Sequence, residues 1–338
     1  MSMHWSSRGR EQGVAASANV LIDEAIEAGR QPSVRVVPFA TGFSPLDHVL
    51  SGGFHAQELT LLGGRPGVGK TIAALQWARW FALHDRTSIY VCYEHSAQTL
   101  LGRLFALEMG SLVRNDEFVA LDDLRTLARD VALGSGRAPD LLGHPLGEEA
   151  VNRMRTYGER LQIIEASGRA TNLAAIETLA AQRRSGPTAL FVDYLQKVPV
   201  SDAPADDDVR STLVVEGLKD LAMSLEIAVV ALVASDKTGM TSRRLRIDHL
   251  RGSAALVHEC DVALVLNDKA SAVSKRHSAY DPVKAETFRQ KVVVSVEKNR
   301  GGPTGMDMEF TKDFANYRFD PEGGFCQETL IDDVMITE

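Results

Sequence analysis

The segment Gly64-Arg65-Pro66-Gly67-Val68-Gly69-Lys70-Thr71 follows the pattern G-x-x-x-x-G-K-[ST] at every fixed position. These residue types suit a polyphosphate. Glycines let backbone N–H groups converge on phosphate oxygens, and the N-terminus of a following helix adds partial positive charge. Lys70 is placed to reach the β and γ phosphates, and the Thr71 hydroxyl to hold Mg²⁺. The chain therefore reads as a binder of a nucleoside triphosphate. Asp193 closes the apolar run Leu190-Phe-Val-Asp193. In a P-loop protein a carboxylate at such a strand end takes the Walker B role, aimed at Mg²⁺ through water or the Thr71 hydroxyl. By itself an Asp there is more often a turn or cap residue. Glu94 also ends an apolar run, where it is placed to polarise an attacking water as general base. On position alone an exposed strand-end carboxylate is an equal reading.

These groups need a sheet to bring them to one edge. Glu58–Leu62 reads as a short buried strand entering the loop, and Ile72–Leu83 as the helix leaving it. Further strands read at Ser88–Tyr93, Leu161–Glu165, Ala189–Asp193, Ala228–Val233, Val262–Leu266 and Val292–Val296. A hairpin-like end follows at Met306–Phe310 and Tyr317–Phe319. Helical patterns fill 97–160, around a Gly/Pro-containing loop near Gly134–Gly147, and then Asn172–Arg184 and Val209–Leu225. Short apolar strands alternating with helices predict an α/β fold, a mostly parallel sheet flanked by helices on both faces. At the N-terminus, 1–16 is polar and reads as a disordered tail. Residues 17–40 read as a linker helix and an extended linker. Val20, Leu21, Ala25 and Ile26 recur at helical spacing, Ser17 is the expected N-cap and Gly29 the expected stop. Pro32 and Pro38 then keep the chain extended. So short a helix is marginal alone, so it is expected to dock on its own domain or on a neighbouring subunit.

Composition narrows the class. Of 338 residues, 44% are apolar and 24% charged, as in an ordinary soluble globular protein. The sequence contains no apolar run long enough for a membrane span and no signal-peptide core at its start. Cys92, Cys260 and Cys326 are odd in number and widely spaced, which points to a reduced, cytoplasmic protein without disulfides or a zinc site. A formal net charge of −8 argues against general affinity for nucleic acid, so any such contact needs a local basic patch.

Several segments together resemble the RecA-like motor domain of replicative helicases of the DnaB family. Thr41-Gly-Phe-Ser-Pro-Leu-Asp47 with Gly52-Gly53 precedes the phosphate loop as in that family. Tyr93-Glu-His-Ser96 looks like its strand end with the catalytic glutamate, and Asp193-Tyr-Leu-Gln196 is similar to its Walker B signature. Asp248-His-Leu-Arg-Gly-Ser253 resembles its DLRxS element, and Glu297-Lys-Asn-Arg-Gly-Gly-Pro-Thr-Gly305 its K-x-R-x-G-P-x-G segment. Order and spacing agree from about residue 17 to 320. The resemblance divides the chain into the tail, the linker, a RecA-like ATPase domain over 41–325 and a C-terminal tail over 326–338. It implies ATP with Mg²⁺ as cofactors and a homo-oligomeric ring, expected as a hexamer, with active sites between subunits. Lys70, Thr71, Asp193 and Glu94 would belong to one protomer. Lys298 and Arg300 would reach the neighbour's γ-phosphate, Arg300 as arginine finger. Gln196 would sense that phosphate. Without the resemblance, Lys298-Asn-Arg300 reads as a charged turn after a strand.

The sequence departs from the family in three places. The serine–glutamine pair usual after the strand at Ala228 reads Val233-Ala234 here. The loop after Asp193, often basic in the family, is the acidic Ser201-Asp-Ala-Pro-Ala-Asp-Asp-Asp208, which repels phosphate. No stretch of these 338 residues resembles the family's N-terminal primase-docking domain. Lys237, Arg243, Arg244 and Arg246 are then the candidate DNA-binding residues, with a solvated or subunit-facing charge run as the other reading. The sequence admits two functions. One is an ATP-hydrolysing ring motor on single-stranded DNA. The other is an ATP-gated scaffold that assembles with protein partners and unwinds nothing.

Overall fold

The computed structural model describes residues 17–30, 37–113, 121–200, 206–274 and 282–331. Two units separate, one ending at Pro38 and one running from Phe39 to Glu338. In the first unit, α1 (Ala18–Arg30) starts under a cap, since Ser17 Oγ accepts from Val20 N at 3.4 Å. Helical geometry continues through Gly29, the expected stop. Val20, Leu21, Ile22 and Ile26 are exposed. The expected disordered tail, 1–16, and most of the extended linker lie outside the described residues.

The second unit begins with a short bridge, Phe39 N donating to Phe54 O at 2.7 Å. Its elements follow as α2 (Ser44–Val49), β1 (Leu59–Gly64), α3 (Lys70–Leu83), β2 (Thr87–Cys92), α4 (Ala97–Leu112), α5 (Leu121–Ala132), α6 (Ala138–Leu142) and α7 (Pro145–Tyr157). Then come β3 (Leu161–Glu165), α8 (Leu173–Arg183), β4 (Thr188–Asp193), α9 (Asp207–Leu225), β5 (Ala228–Ala234), α10 (Lys237–Thr241), α11 (Ser253–Glu259) and β6 (Val262–Asp268). The rest is α12 (Lys269–Ala272), α13 (Pro282–Arg289), β7 (Lys291–Asn299), β8 (Met306–Asp313), β9 (Arg318–Phe319) and β10 (Gly324–Phe325).

The strands form one sheet in the order β10-β8-β7-β6-β1-β5-β4-β2-β3, with β9 on β8. From β6 to β3 all pairings are parallel, and β7, β8 and β10 extend the sheet antiparallel. The parallel strands read as continuous apolar runs because both faces are covered. On one face Tyr90, Phe191, Val230, Leu232 and Leu264 pack on Trp77 and Phe81 of α3. On the other, Ile89, Val91, Leu190, Val192, Val229 and Ala231 pack on Ile176 of α8 and on Val214 and Leu218 of α9. This is the predicted mostly parallel sheet with helices on both faces.

A smaller cluster built by Phe105, Met109, Leu124, Ala128, Leu141 and Ala150 holds α4 to α7 together. Buried Arg79 anchors that group to the core through Glu108, its Nε and Nη2 donating at 2.6 and 2.5 Å, and Tyr157 OH donates to Glu108 at 2.7 Å.

Three local expectations change. The Gly134–Gly147 loop contains α6. The Asp206-Asp207-Asp208 run is a helix start, Asp206 Oδ1 accepting from Asp208 N at 2.8 Å and two acids meeting the positive end of α9. Residues 201–205 of that loop lie outside the described residues. Finally, part of the expected tail is strapped down. Cys326 N donates to Asp307 O, Ser274 N to Thr329 O and Ile331 N to Ala272 O.

Candidate active site

Parallel strands β1, β2, β4 and β5 end along one edge of the sheet, where α/β folds hold ligands. The phosphate loop leaves β1 there. Gly67 has φ +79° and Gly69 φ +107°, conformations that favour glycine. A Cβ on Gly69 would also stand 2.5 Å from Phe319 Cζ and 2.9 Å from Phe314 Cζ, so only glycine fits. Gly69 caps α3, whose first-turn N–H groups lack acceptors within the helix and point into the loop. Lys70 Nζ turns back over the loop, donating to Gly64 O at 2.6 Å and Arg65 O at 3.1 Å. Burial lowers its pKa, and the nearby carboxylates of Asp193 and Glu94 oppose that shift.

Asp193, at the end of β4, is buried and receives Thr71 Oγ1 and Tyr90 OH on Oδ2, each at 2.9 Å. Burial raises its pKa against those two hydrogen bonds, and the Glu94 charge raises it further. Glu94 follows β2 and is exposed. A hydroxyl beside a carboxylate at the foot of a phosphate loop is a hard-oxygen donor set, which fits Mg²⁺. Cys92 lies nearby, but burial pushes its thiol up to about 11, so it is a packing residue and no nucleophile.

Gln196 sits at the same edge. Its Oε1 accepts from Ala234 N at 3.2 Å and its Nε2 donates to Arg251 O at 3.1 Å. The amide therefore joins β4 to β5 through backbone atoms, although Val233 and Ala234 bring no polar side chain. Arg65 of the loop donates to Gly239 O at 2.7 Å and to Ser242 O, tying the phosphate loop to the basic segment.

That segment is not one basic face. Lys237 is exposed on α10, a short helix capped by Asp236 Oδ1 accepting from Gly239 N at 2.6 Å. Arg243 is half-buried and donates to Val273 O at 3.4 Å. Arg244 is buried, 6% exposed, and donates to Asp307 Oδ1 at 2.7 Å and Ser295 Oγ at 3.2 Å. Arg246 Nε donates to Glu297 Oε2 at 3.0 Å. Arg244 thus belongs to the fold's interior, because β7 and β8 bring two carboxylates beneath it. The expectation that it tracks phosphates from a solvent-facing loop is corrected here.

Lys298 and Arg300 lie at the other edge. Lys298 pairs with Ala263 near the start of β6, whereas Gly64 of the phosphate loop pairs with Leu266 near its end. Lys298 Nζ donates to Val257 O at 2.5 Å and His258 O at 3.1 Å. Arg300 Nη2 donates to His258 O at 2.5 Å and Nη1 to Asp261 Oδ1 at 3.2 Å. The structure therefore gathers Lys70, Thr71, Asp193, Glu94 and Gln196, and keeps Lys298 and Arg300 away from them within one protomer.

Sequence reasoning missed Tyr90, Asp261 and the reach of Arg65. Only Tyr90 leaves a trace, as a hydroxyl-bearing aromatic in the middle of an apolar strand, whose OH needs a buried partner.

The DnaB-like helicase C terminal domain family model matches residues 39–133 and 142–319. The replicative DNA helicase DnaB of Treponema pallidum is 27% identical over 292 residues, covering 83% of this chain and 56% of that protein. The chain thus spans just over half the length of such relatives. Among solved structures, an isolated ATPase domain superposes with TM-score 0.70 at 18% identity, over 90% of this chain and 99% of that one. A DnaB-like replicative helicase studied with primase gives TM-score 0.66 at 18% identity, over 90% and 67%. Those two likenesses concern the fold, which is RecA-like.

Proposed function

We propose that this chain, which belongs to the DnaB-like helicase C terminal domain family, is an ATP-hydrolysing motor that works as a homo-oligomeric ring on single-stranded DNA. The observation that supports this best is the division of the charged groups. One sheet edge has what binds and activates a nucleotide, and the cations that would complete the site sit at the opposite edge. A second copy of the chain can supply them, and a ring of six is the expected closure.

Within that reading, the loop N–H groups and Lys70 bind the β and γ phosphates of ATP, and Thr71 and Asp193 hold Mg²⁺. Bound there, the ion neutralises charge developing on the phosphates. Glu94 orients and deprotonates the attacking water, and Gln196 senses the γ-phosphate at the seam between β4 and β5. Lys298 and Arg300 stabilise transition-state charge across the interface, so that turnover depends on assembly. Lys237 and Arg243 are the candidates left to meet the DNA backbone. The exposed apolar side of α1 is proposed to rest on an adjacent subunit.

The burial of Arg244 and the pairing of Arg246 with Glu297 favour a second reading, an ATP-gated scaffold that does not unwind. ATPase and strand-displacement assays, each with and without single-stranded DNA, separate the two. A motor shows DNA-stimulated hydrolysis and displacement. Hydrolysis indifferent to DNA, without displacement, selects the scaffold.

A further inference from the structure

Arg300 lies on the loop leaving β7, and half of its side chain, 51%, faces solvent. A long side chain at a surface loses rotamer entropy when it is held in one place, so a finger needs a fixed neighbour to be aimed before its phosphate arrives. The described contacts converge on Asp261. Its backbone carbonyl accepts from Arg300 N at 2.9 Å, and its Oδ1 from Arg300 Nη1 at 3.2 Å. Its Oδ2 is turned inward, accepting from Leu59 N at 2.8 Å and from Lys219 Nζ of α9 at 2.7 Å. Asp261 is itself buried, 6% exposed, between Cys260 and the first residue of β6.

The two oxygens have different duties. Oδ2 is bolted to the sheet at the first residue of β1 and to a helix behind it. Oδ1 is left to face the guanidinium. Arg300 Nη2 meanwhile rests on His258 O, a neutral acceptor that a phosphate oxygen would outcompete. A planar guanidinium held by Nη1 can pass Nη2 from that carbonyl to a phosphate without losing its plane. We infer that Asp261 is the positioning residue for Arg300, orienting the guanidinium from the start of β1 so that Nη2 is free to engage the neighbouring subunit's nucleotide. Because β1 runs from Leu59 to the phosphate loop at Gly64, the same strand carries one subunit's own nucleotide site and the mounting of the cation it lends to the next.

This inference rests on Arg300 acting in trans, and the test separates the two claims. The full-length protein is assayed for steady-state ATPase as wild type, Arg300→Ala, Asp261→Asn and the double variant, with oligomer mass checked for each. Arg300→Ala is expected to lower kcat by at least 10²-fold, since such fingers contribute on the order of 10³–10⁵. Asp261→Asn should lower kcat by roughly 10-fold with the KM for ATP within about 2-fold, a tenfold rate change being 1.36 kcal/mol. The double variant should be no slower than Arg300→Ala alone, because Asp261 acts only through Arg300.

Lys219→Met, which removes the α9 partner of Oδ2 and leaves the hold from Leu59 N of β1, should reduce thermal stability and leave kcat within about 2-fold. Should the amide fail to fold, Asp261→Glu retains a carboxylate but displaces the oxygen facing Arg300, and the same loss of kcat is expected. An unchanged kcat in Arg300→Ala refutes the trans reading itself. A large loss in Arg300→Ala with more than half the wild-type kcat in the folded Asp261 variant overturns the positioning role alone. So does a double variant slower than Arg300→Ala by a further factor of about 10.

Discussion

Thr71 Oγ1 donates to Asp193 Oδ2 over 2.9 Å, joining the first turn of α3 to the end of β4 across 122 residues of sequence. Tyr90 reaches the same oxygen from β2 at an equal distance. Two hydroxyls thus fix the carboxylate in place and soften the cost of burying its charge. The donor set is arranged by the sheet beforehand and needs little rearrangement when a nucleotide enters.

Lys70→Ala should abolish ATP hydrolysis and weaken nucleotide binding, because the loop loses the ammonium that now lies on Gly64 O and Arg65 O. Thermal stability should change little, since the loss of those two carbonyl contacts and of the charge attraction from Asp193 and Glu94 is offset by no longer burying an ammonium. Phosphate release together with a fluorescent-nucleotide titration checks it. Near-normal turnover by the folded variant contradicts the nucleotide site as described.

Glu94→Gln should bind ATP normally and hydrolyse it more slowly, by on the order of 10²–10⁴-fold for loss of a general base. The exposed side chain has little to contribute to stability, so melting curves should superimpose. A purified variant that keeps more than half its rate reassigns Glu94 to an ordinary surface position.

Mixing Arg300→Ala protein with Lys70→Ala protein should restore part of the ATPase activity that neither has alone. In a mixed ring, some interfaces combine an intact phosphate loop with an intact finger. Absence of rescue, in samples where mixed oligomers are demonstrated by mass, argues against a shared site.

The basic segment should split by burial. Arg244→Ala leaves Asp307 without its cation, while Glu297 keeps Arg246, and should cost about 3–5 kcal/mol, the range for breaking a buried pair. Lys237→Ala should stay within about 0.5 kcal/mol of wild type. On single-stranded DNA the same Lys237→Ala change should reduce the salt slope by about 0.7, the value for one phosphate neutralised on a single strand. Chemical melts and binding isotherms at several salt concentrations read both effects. An unchanged slope removes Lys237 from the DNA path.

Acid should loosen the strapped C-terminal segment. Burial by itself would raise the Glu309 carboxyl, but hydrogen bonds and charge from Lys269 and Lys291 prevail and hold it below the ordinary 4.5. Glu328 is held low in the same way, burial being outweighed by Lys269. A carboxylate depressed in the folded state contributes stability that is complete above the unfolded value near 4.5 and is lost as pH falls through the lower folded value. Glu309→Gln should therefore cost roughly 1–3 kcal/mol at pH 7 and flatten the loss seen below pH 4.5. Urea melts across that range test it, and parallel curves for wild type and variant would exclude the ion pairs as the cause.

What could be read from sequence were the features with local causes. The phosphate loop is contiguous because backbone N–H groups must surround one phosphate, so Gly64 to Thr71 carry the whole signal. Strands such as Ala228–Ala234 announce burial on both faces by unbroken apolar runs, and an order of alternating strands and helices leads to the parallel sheet. Asp193 was legible because it ends such a run. Pairings between distant residues had no local trace and were decided only by folding. Tyr90 meets Asp193 because β2 and β4 are neighbours in the sheet, with Cys92 paired to Asp193. Arg244, one of four similar cations in sequence, is buried because β7 and β8 place Ser295, Glu297 and Asp307 beneath it. Likewise Asp261 looks like any acid before a strand until β1, α9 and the loop after β7 close around it. A charge pattern along the chain states how many cations are near one another in sequence. Which of them meet water and which meet a buried carboxylate depends on strand order and register, and those exist only in the assembled sheet.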